Sequence, residues 1–291
     1  MAGQLIKLDG VRSAGIPGQA RIDMDSADIV AASVPSLVHA FNPRTARVNT
    51  DGSIRVVDRT DGRLLDCAAF SGLSISALDA DFNGQTVLKA DNRGSGAWGL
   101  SFAPGKVSNS YTVVGVASPN AELSTRPSSG TLNCTLLSSL VPSVDDAQPL
   151  KNNTRYRLPS VSSPGSEGLM VWPDNHNDSG STANIGFENF SPDQPFLFVE
   201  TFDFNTKTLN LYLNGMNLQG TVIASGVTEL TVDQEASSYW NIGGAAADLN
   251  TGSFAGKIGD MFIFNEALDL SSSTLYQLRR LVEALKTKYG I

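Results

Sequence analysis

Between Phe196 and Asn214 the chain reads FLFVETFDFNTKTLNLYLN, an alternation of apolar and polar residues on both sides of a short polar break. Phe202 and Phe204 fall on one face before Asn205 to Lys207, and Leu209, Leu211 and Leu213 resume the period after it. A period of two cannot bury an apolar stripe as a helix, so the segment must be two paired strands. Asn214-Gly215 adds a second tight turn. Further strands are expected at Val227 to Val232, Tyr239 to Ile242 and Gly256 to Phe264, where Ile258, Met261 and Ile263 supply apolar positions. The first half carries shorter runs between turn signals. They are Leu37 to Phe41, Ile54 to Val57 after Asp51-Gly52, Leu73 to Leu78, Thr86 to Leu88 after Asn83-Gly84, Gly99 to Phe102 and Tyr111 to Val116. With 27 Gly and 13 Pro spread over 291 residues, this spacing predicts an antiparallel sandwich or barrel.

One helix is expected, at the end. Ser271 to Ser273 offer an N-cap, and Leu275, Leu278, Val282, Leu285 and Tyr289 recur at spacings of three and four. Gly290 can close the helix in the left-handed region, and Arg279, Arg280, Lys286 and Lys288 crowd toward its C-terminal half. Residues 1–35 lack such periodicity and read as an extended docking arm, leaving 36–291 as one domain.

The formal charge of -8, from 21 basic and 29 acidic side chains, repels a phosphate backbone and argues against nucleic acid as a partner. No apolar run reaches the length needed to cross a bilayer, and the start MAGQLIKLDGVRSAGIPGQ lacks the apolar stretch of a secretion signal. The expectation is a chain that folds where it is made. In that compartment Cys67 and Cys134 read as two buried thiols, with pairing as the alternative.

The run SYWNIGGAAADLNTGSFAGKIGDMFIFNEAL, followed by a helix ending LVEALKTKYGI, resembles the closing strands and terminal helix of laminin-G-like, concanavalin A-like jelly rolls. TLNLYLNG is similar to that family's hairpin, YTVVGVASP to an early strand, and SLVHAFNPRTARVNTDGSIRVVDRTDGRLLD to its opening, with a turn from Asp58 to Gly62. The resemblance covers about 36 to 291 and implies an all-β antiparallel β-sandwich of two apposed sheets with a curved face. Domains of this kind occur in bacteriophage virion proteins, lectins, glycosidases and adhesion modules, so the fold alone implies no activity.

Retaining glycosidases on this fold need two carboxylates close together on one strand face. Glu200 and Asp203 come nearest, but a separation of three turns them to opposite faces. Two histidines, His39 and His176, and no nucleophile elbow give hydrolase chemistry little to stand on, and the chain is expected to be no enzyme. Asp79, Asp81 and Asn83 open like a calcium loop, yet Ala90 stands where a bidentate Glu belongs, so a plain Asn-Gly turn is the favoured reading and no cofactor is expected. The polar loop Trp172, Pro173, Asp174, Asn175, His176, Asn177, Asp178 places amides and carboxylates beside an indole. It is the candidate glycan-binding segment, against the plainer reading of a solvated turn with Trp172 in the core. Trp98 and Trp240 read as packing residues.

Three functions remain in view: a structural protein of a tailed bacteriophage virion, a soluble carbohydrate-binding lectin module, and a glycosidase. The expected reading is the first, a capsid decoration or tail appendage assembled in the host cytoplasm. It would be docked to virion proteins by the arm, associated as a homo-oligomer with a trimer favoured, and display a jelly roll for surface glycan adhesion.

Overall fold

The structure is a computed structural model that describes residues 24–50, 54–68, 73–76, 82–90, 99–120, 131–141, 150–159, 162, 168–172, 185–187, 193–243 and 252–291. Among them two antiparallel sheets face each other across one apolar core. The first sheet runs in the order β15 (Asn217–Ile223), β14 (Thr208–Leu213), β13 (Phe196–Asp203), β8 (Tyr111–Pro119), β18 (Gly256–Phe264), β6 (Val87–Ala90) and β5 (Leu73–Ser76). To this β1 (Leu37–Phe41) adds a pairing with β18. The second sheet runs β12 (Ile185–Phe187), β11 (Gly168–Trp172), β10 (Leu150–Pro159), β9 (Thr131–Leu140), β16 (Tyr239–Gly243), β7 (Gly99–Ser101) and β4 (Asp66–Ala68), with β17 (Gly252–Ser253) parallel to β9. A separate hairpin joins β2 (Arg47–Val48) to β3 (Ile54–Arg55). The expected all-β sandwich is therefore what the chain forms.

Strand alternation assigns each side chain its layer. On β13, Phe196, Phe198 and Phe202 enter the core between the sheets, while Leu197 and Val199 join a second apolar cluster on the other face. That second cluster exists because α3 (Ser272–Tyr289) lies on the outside of the first sheet, burying Leu278, Leu281, Val282, Leu285 and Tyr289 against Val114, Val116, Phe262 and Phe264. Ser271 caps the helix by accepting the Thr274 N–H, and Gly290, at φ 72°, ends it.

Two expectations need correction. Val227 to Val232 is not a strand: Val227 and Leu230 are buried in a loop, and Thr231 then caps α2 (Val232–Ser237) in a capping box with Gln234. The second concerns the part of the arm that the structure describes. Ser26–Ala32 forms α1, capped reciprocally by Asp25 and Asp28, and buries Ala27, Val30 and Ala31 beside α3. Small residues allow this close helix approach, so their lack of a long apolar period does not make them an arm. Residues 1–23 of the expected arm lie outside the described residues.

Removing 24–35 in addition to 1–23 is accordingly expected to lower the thermal midpoint markedly relative to removing 1–23 alone. Equal midpoints for the two truncated chains would show that α1 contributes nothing to the fold.

Candidate functional site

Backbone register aligns six strands of the second sheet into one row. Asp66 pairs Ser101, Ser101 pairs Asn241, Asn241 pairs Ser138, Ser138 pairs Asn153, and Asn153 pairs Trp172. One residue along each strand, Leu100, Ile242 and Leu137 lie in the core, so Ser101, Asn241 and Ser138 of this row belong to the sheet's outer face, while the side chains of Asp66, Asn153 and Trp172 lie outside the described residues. Along this row Ser101 Oγ donates to Asn241 Oδ1 at 2.9 Å, and Asn241 Nδ2 donates to the Gly243 carbonyl at 3.3 Å. Ser138 and Asn241 are buried, and among the described residues Ser138 Oγ has no hydrogen-bond partner. Leu140 and Tyr239 make a small apolar contact of their own on the same face. The row is thus a strip of hydroxyl and amide residues whose register ends at Trp172, the last residue of β11. Asp174, Asn175, His176, Asn177 and Asp178 lie outside the described residues, as does Trp98.

The inner face of the same sheet holds a polar island that sequence reasoning missed. Trp240, Ser139 and Asn152 are neighbours across β16, β9 and β10. Asn152 Nδ2 donates to Glu200 Oε1 and to Tyr111 Oη, both at 3.1 Å, and Thr154 Oγ1 lies 3.0 and 2.9 Å from the two Glu200 oxygens. The Tyr111 ring meets Trp240 edge-on with centroids 5.5 Å apart. Glu200 is fully enclosed between the sheets, and burial pushes its carboxyl up to about 8 despite the hydrogen bonds from Thr154 and Asn152. It is therefore a neutral acid at pH 7. The signal was present in FLFVETFD, where Glu200 occupies the same face as Phe196, Phe198 and Phe202.

Asp203, the other half of the pair weighed for glycosidase chemistry, is used by the β13–β14 turn. Its Oδ2 accepts the Thr206 N–H at 3.1 Å and the Thr206 hydroxyl at 2.7 Å, and its Oδ1 accepts the Asn205 N–H at 3.2 Å. One carboxyl is entombed and the other caps a turn.

His39 is likewise committed. Its Nδ1 lies 2.6 Å from Asp58 Oδ2, its ring stacks on Phe102 with centroids 4.2 Å apart, and its Nε2 is buried without a partner among the described residues. Burial pushes the imidazole below its usual range, outweighing the pull of Asp58. Asp58 Oδ1 also accepts the Ala40 and Thr60 N–H groups, and these bonds with His39 hold its carboxyl below the usual range although burial opposes them. This lock fixes the Asp58–Gly62 turn that the sequence resemblance had singled out.

Of the calcium-loop candidates only Asn83 is described. It takes φ 53° and Gly84 φ 71°, both left-handed, and Asn83 Nδ2 donates to the Lys288 carbonyl at 3.3 Å, docking the turn on the end of α3. Asp79 and Asp81 lie outside the described residues. Cys134 is buried in the core opposite Tyr156, and the side chain of Cys67 lies outside the described residues. Trp240 is fully buried, as a packing residue should be. No helix among the described residues is long and apolar enough to cross a membrane.

No protein-family profile matches the chain, and no curated protein sequence does. Among solved structures, the chain is similar to Trypanosoma rangeli sialidase in complex with 2,3-difluorosialic acid, at 15% identity and a TM-score of 0.52. That match covers 87% of this chain and 33% of the sialidase, so the chain spans about a third of the length of that enzyme. A second structure of Trypanosoma rangeli sialidase gives 14% identity and a TM-score of 0.51 over the same shares. A botulinum neurotoxin serotype C1 binding domain follows at 15% identity and 0.49, covering 86% of this chain and 52% of that one. At such identities the likeness to the sialidase structures establishes a shared β-sandwich fold.

Proposed function

We propose that the chain is a non-enzymatic, glycan-binding jelly-roll module whose sugar contacts centre on Trp172. The observation that carries this reading is the cross-strand row of the second sheet. It brings Ser101, Asn241, Ser138 and Asn153 into register with Trp172, the residue that opens the polar segment 173–178. The amide residue Asn153 on the neighbouring strand and the amides and carboxylates that follow the indole in sequence suit a sugar, whose hydroxyls hydrogen-bond while its C–H face stacks. Ser138 and Asn241, both buried, hold the row together without touching the ligand. A non-catalytic role is supported by the commitments of Glu200 and Asp203, since neither is placed to serve as an acid or nucleophile toward a surface ligand.

The wider setting we propose is display on a virion as a homo-oligomer, a trimer by preference, since multivalency strengthens weak sugar contacts. Its support is the sequence resemblance and the composition. Immuno-electron microscopy of particles and light scattering of the purified chain test this setting separately.

The glycan reading is tested by screening the full chain on a glycan array and measuring the best ligand by calorimetry. Trp172→Ala is expected to weaken that ligand by about tenfold or more, the loss of one stacking contact, while the thermal midpoint holds. Retained affinity in Trp172→Ala, or release of free sugar from the bound glycan, would overturn the reading.

A further inference from the structure

We propose that Lys288 Nζ and Asp260 Cγ become joined in an amide bond, an intramolecular cross-link tying the end of α3 to β18. Lys288 Nζ lies 2.6 Å from Asp260 Oδ2 and 2.6 Å from Asp25 Oδ2. Asp260 has no solvent exposure, and the Lys288 side chain is only 8% exposed. Tyr289 Oη donates to Asp260 Oδ1 at 3.0 Å and accepts the Asp260 backbone N–H at 2.9 Å. Phe82 packs edge-on against the Tyr289 ring, and both belong to the apolar cluster under α3. An amine, an enclosed carboxyl, a second carboxylate touching the same amine and a phenol on the far carboxyl oxygen are the groups that amide condensation needs.

Each group has a distinct part. Burial raises the Asp260 carboxyl above its usual range, which favours its taking one proton from the Lys288 ammonium of the resting ion pair and so reacting as the neutral acid, a better electrophile than the carboxylate. Burial also opposes charge on Asp25, but its hydrogen bonds from Lys288 and Asp28 hold it below the usual range, so it is the ionised partner that takes a proton from the ammonium. The freed lone pair attacks Asp260 Cγ, and Tyr289 Oη stabilises the charge developing on Oδ1. The Cγ–Oδ2 bond then breaks, and Oδ2 leaves as water carrying two of the three ammonium protons, one of them by way of Asp25. The third proton stays on the new amide nitrogen. No net proton or electron is gained or lost.

Free amines and carboxylates do not condense in bulk water. Here the reactants are held in contact in a dry site, where effective molarities on the order of 10⁵ M or more apply. Charge bookkeeping also fits. Arg44 Nη2 sits 3.4 Å from Asp25 and Arg59 Nη1 2.9 Å from Asp28, so condensation removes one charge of each sign from a balanced set and strands none.

The experiment is intact mass spectrometry of the full chain under denaturing conditions, followed by peptide mapping. The wild type is expected to be one water lighter than its sequence mass, with the peptides bearing Asp260 and Lys288 joined. Lys288→Arg keeps the ion pair but cannot condense in this way and should show the full mass. Asp25→Asn, folded by circular dichroism, should remain largely unjoined. A wild-type chain at full mass after prolonged incubation overturns the proposal. So does a lost water that persists in Lys288→Arg, which would locate dehydration elsewhere, as at Asp51-Gly52 or Asp61-Gly62.

Discussion

Replacing Glu200 by Gln will flatten the dependence of folding stability on pH between 4.5 and about 8, and will stabilise the protein at pH 8 by roughly 5 kcal/mol. The sign follows from the direction of the shift. A carboxyl raised from 4.5 to about 8 in the folded state binds a proton there that the unfolded chain has already released. Its stabilising contribution is therefore complete below pH 4.5 and is lost as pH rises toward 8, at about 1.4 kcal/mol per pH unit. Gln keeps the shape and never ionises. It can accept from Asn152 and donate to Thr154, which preserves the island's bonds. Chemical denaturation of both proteins across that pH range checks this. Parallel slopes in wild type and variant would mean that Glu200 is ionised in the folded state, and its isolation from solvent would have to be abandoned.

Leu278→Ala or Leu285→Ala should cost about 2 to 5 kcal/mol, comparable with the whole stability of many domains. Both side chains are fully buried, and they fill the space between α3 and the Val114, Val116, Leu197, Val199, Phe262 and Phe264 surface. Strands on either side hold that surface rigid, so it cannot collapse into the cavity left behind. Thermal or urea unfolding reads the effect. An unchanged midpoint in both variants would show that the helix is not part of the cooperative fold.

Legibility in the sequence followed the regularity of each element. The β13–β14 hairpin and α3 carry long, clean periods, and the structure matches them to within a residue or two. β9, TLNCTLLSSL, was invisible because Ser and Thr occupy both faces, and a bulge opposite Thr154 and Arg155 breaks the alternation midway. α1 and α2 are too short for a period to show, yet each has its capping pair in the sequence, Asp25 with Asp28 and Thr231 with Gln234. At the candidate site, Trp172 could be noticed but not its neighbours. Ser101, Asn241, Ser138 and Asn153 are brought into one row with it only by strand order, which composition does not encode.

The contact of Lys288 with Asp25 also brings the two ends of the described chain side by side, behind the first sheet and away from the Trp172 row. A body with adjacent ends can be spliced into a surface loop of another protein as a single cassette, held by two strands of chain that leave from one spot. It can also be permuted, since a short bridge would rejoin 291 to 24 while new ends are opened elsewhere. Either way, the joins would fall on the α1–α3 side of the first sheet and leave the second sheet's strands uncut.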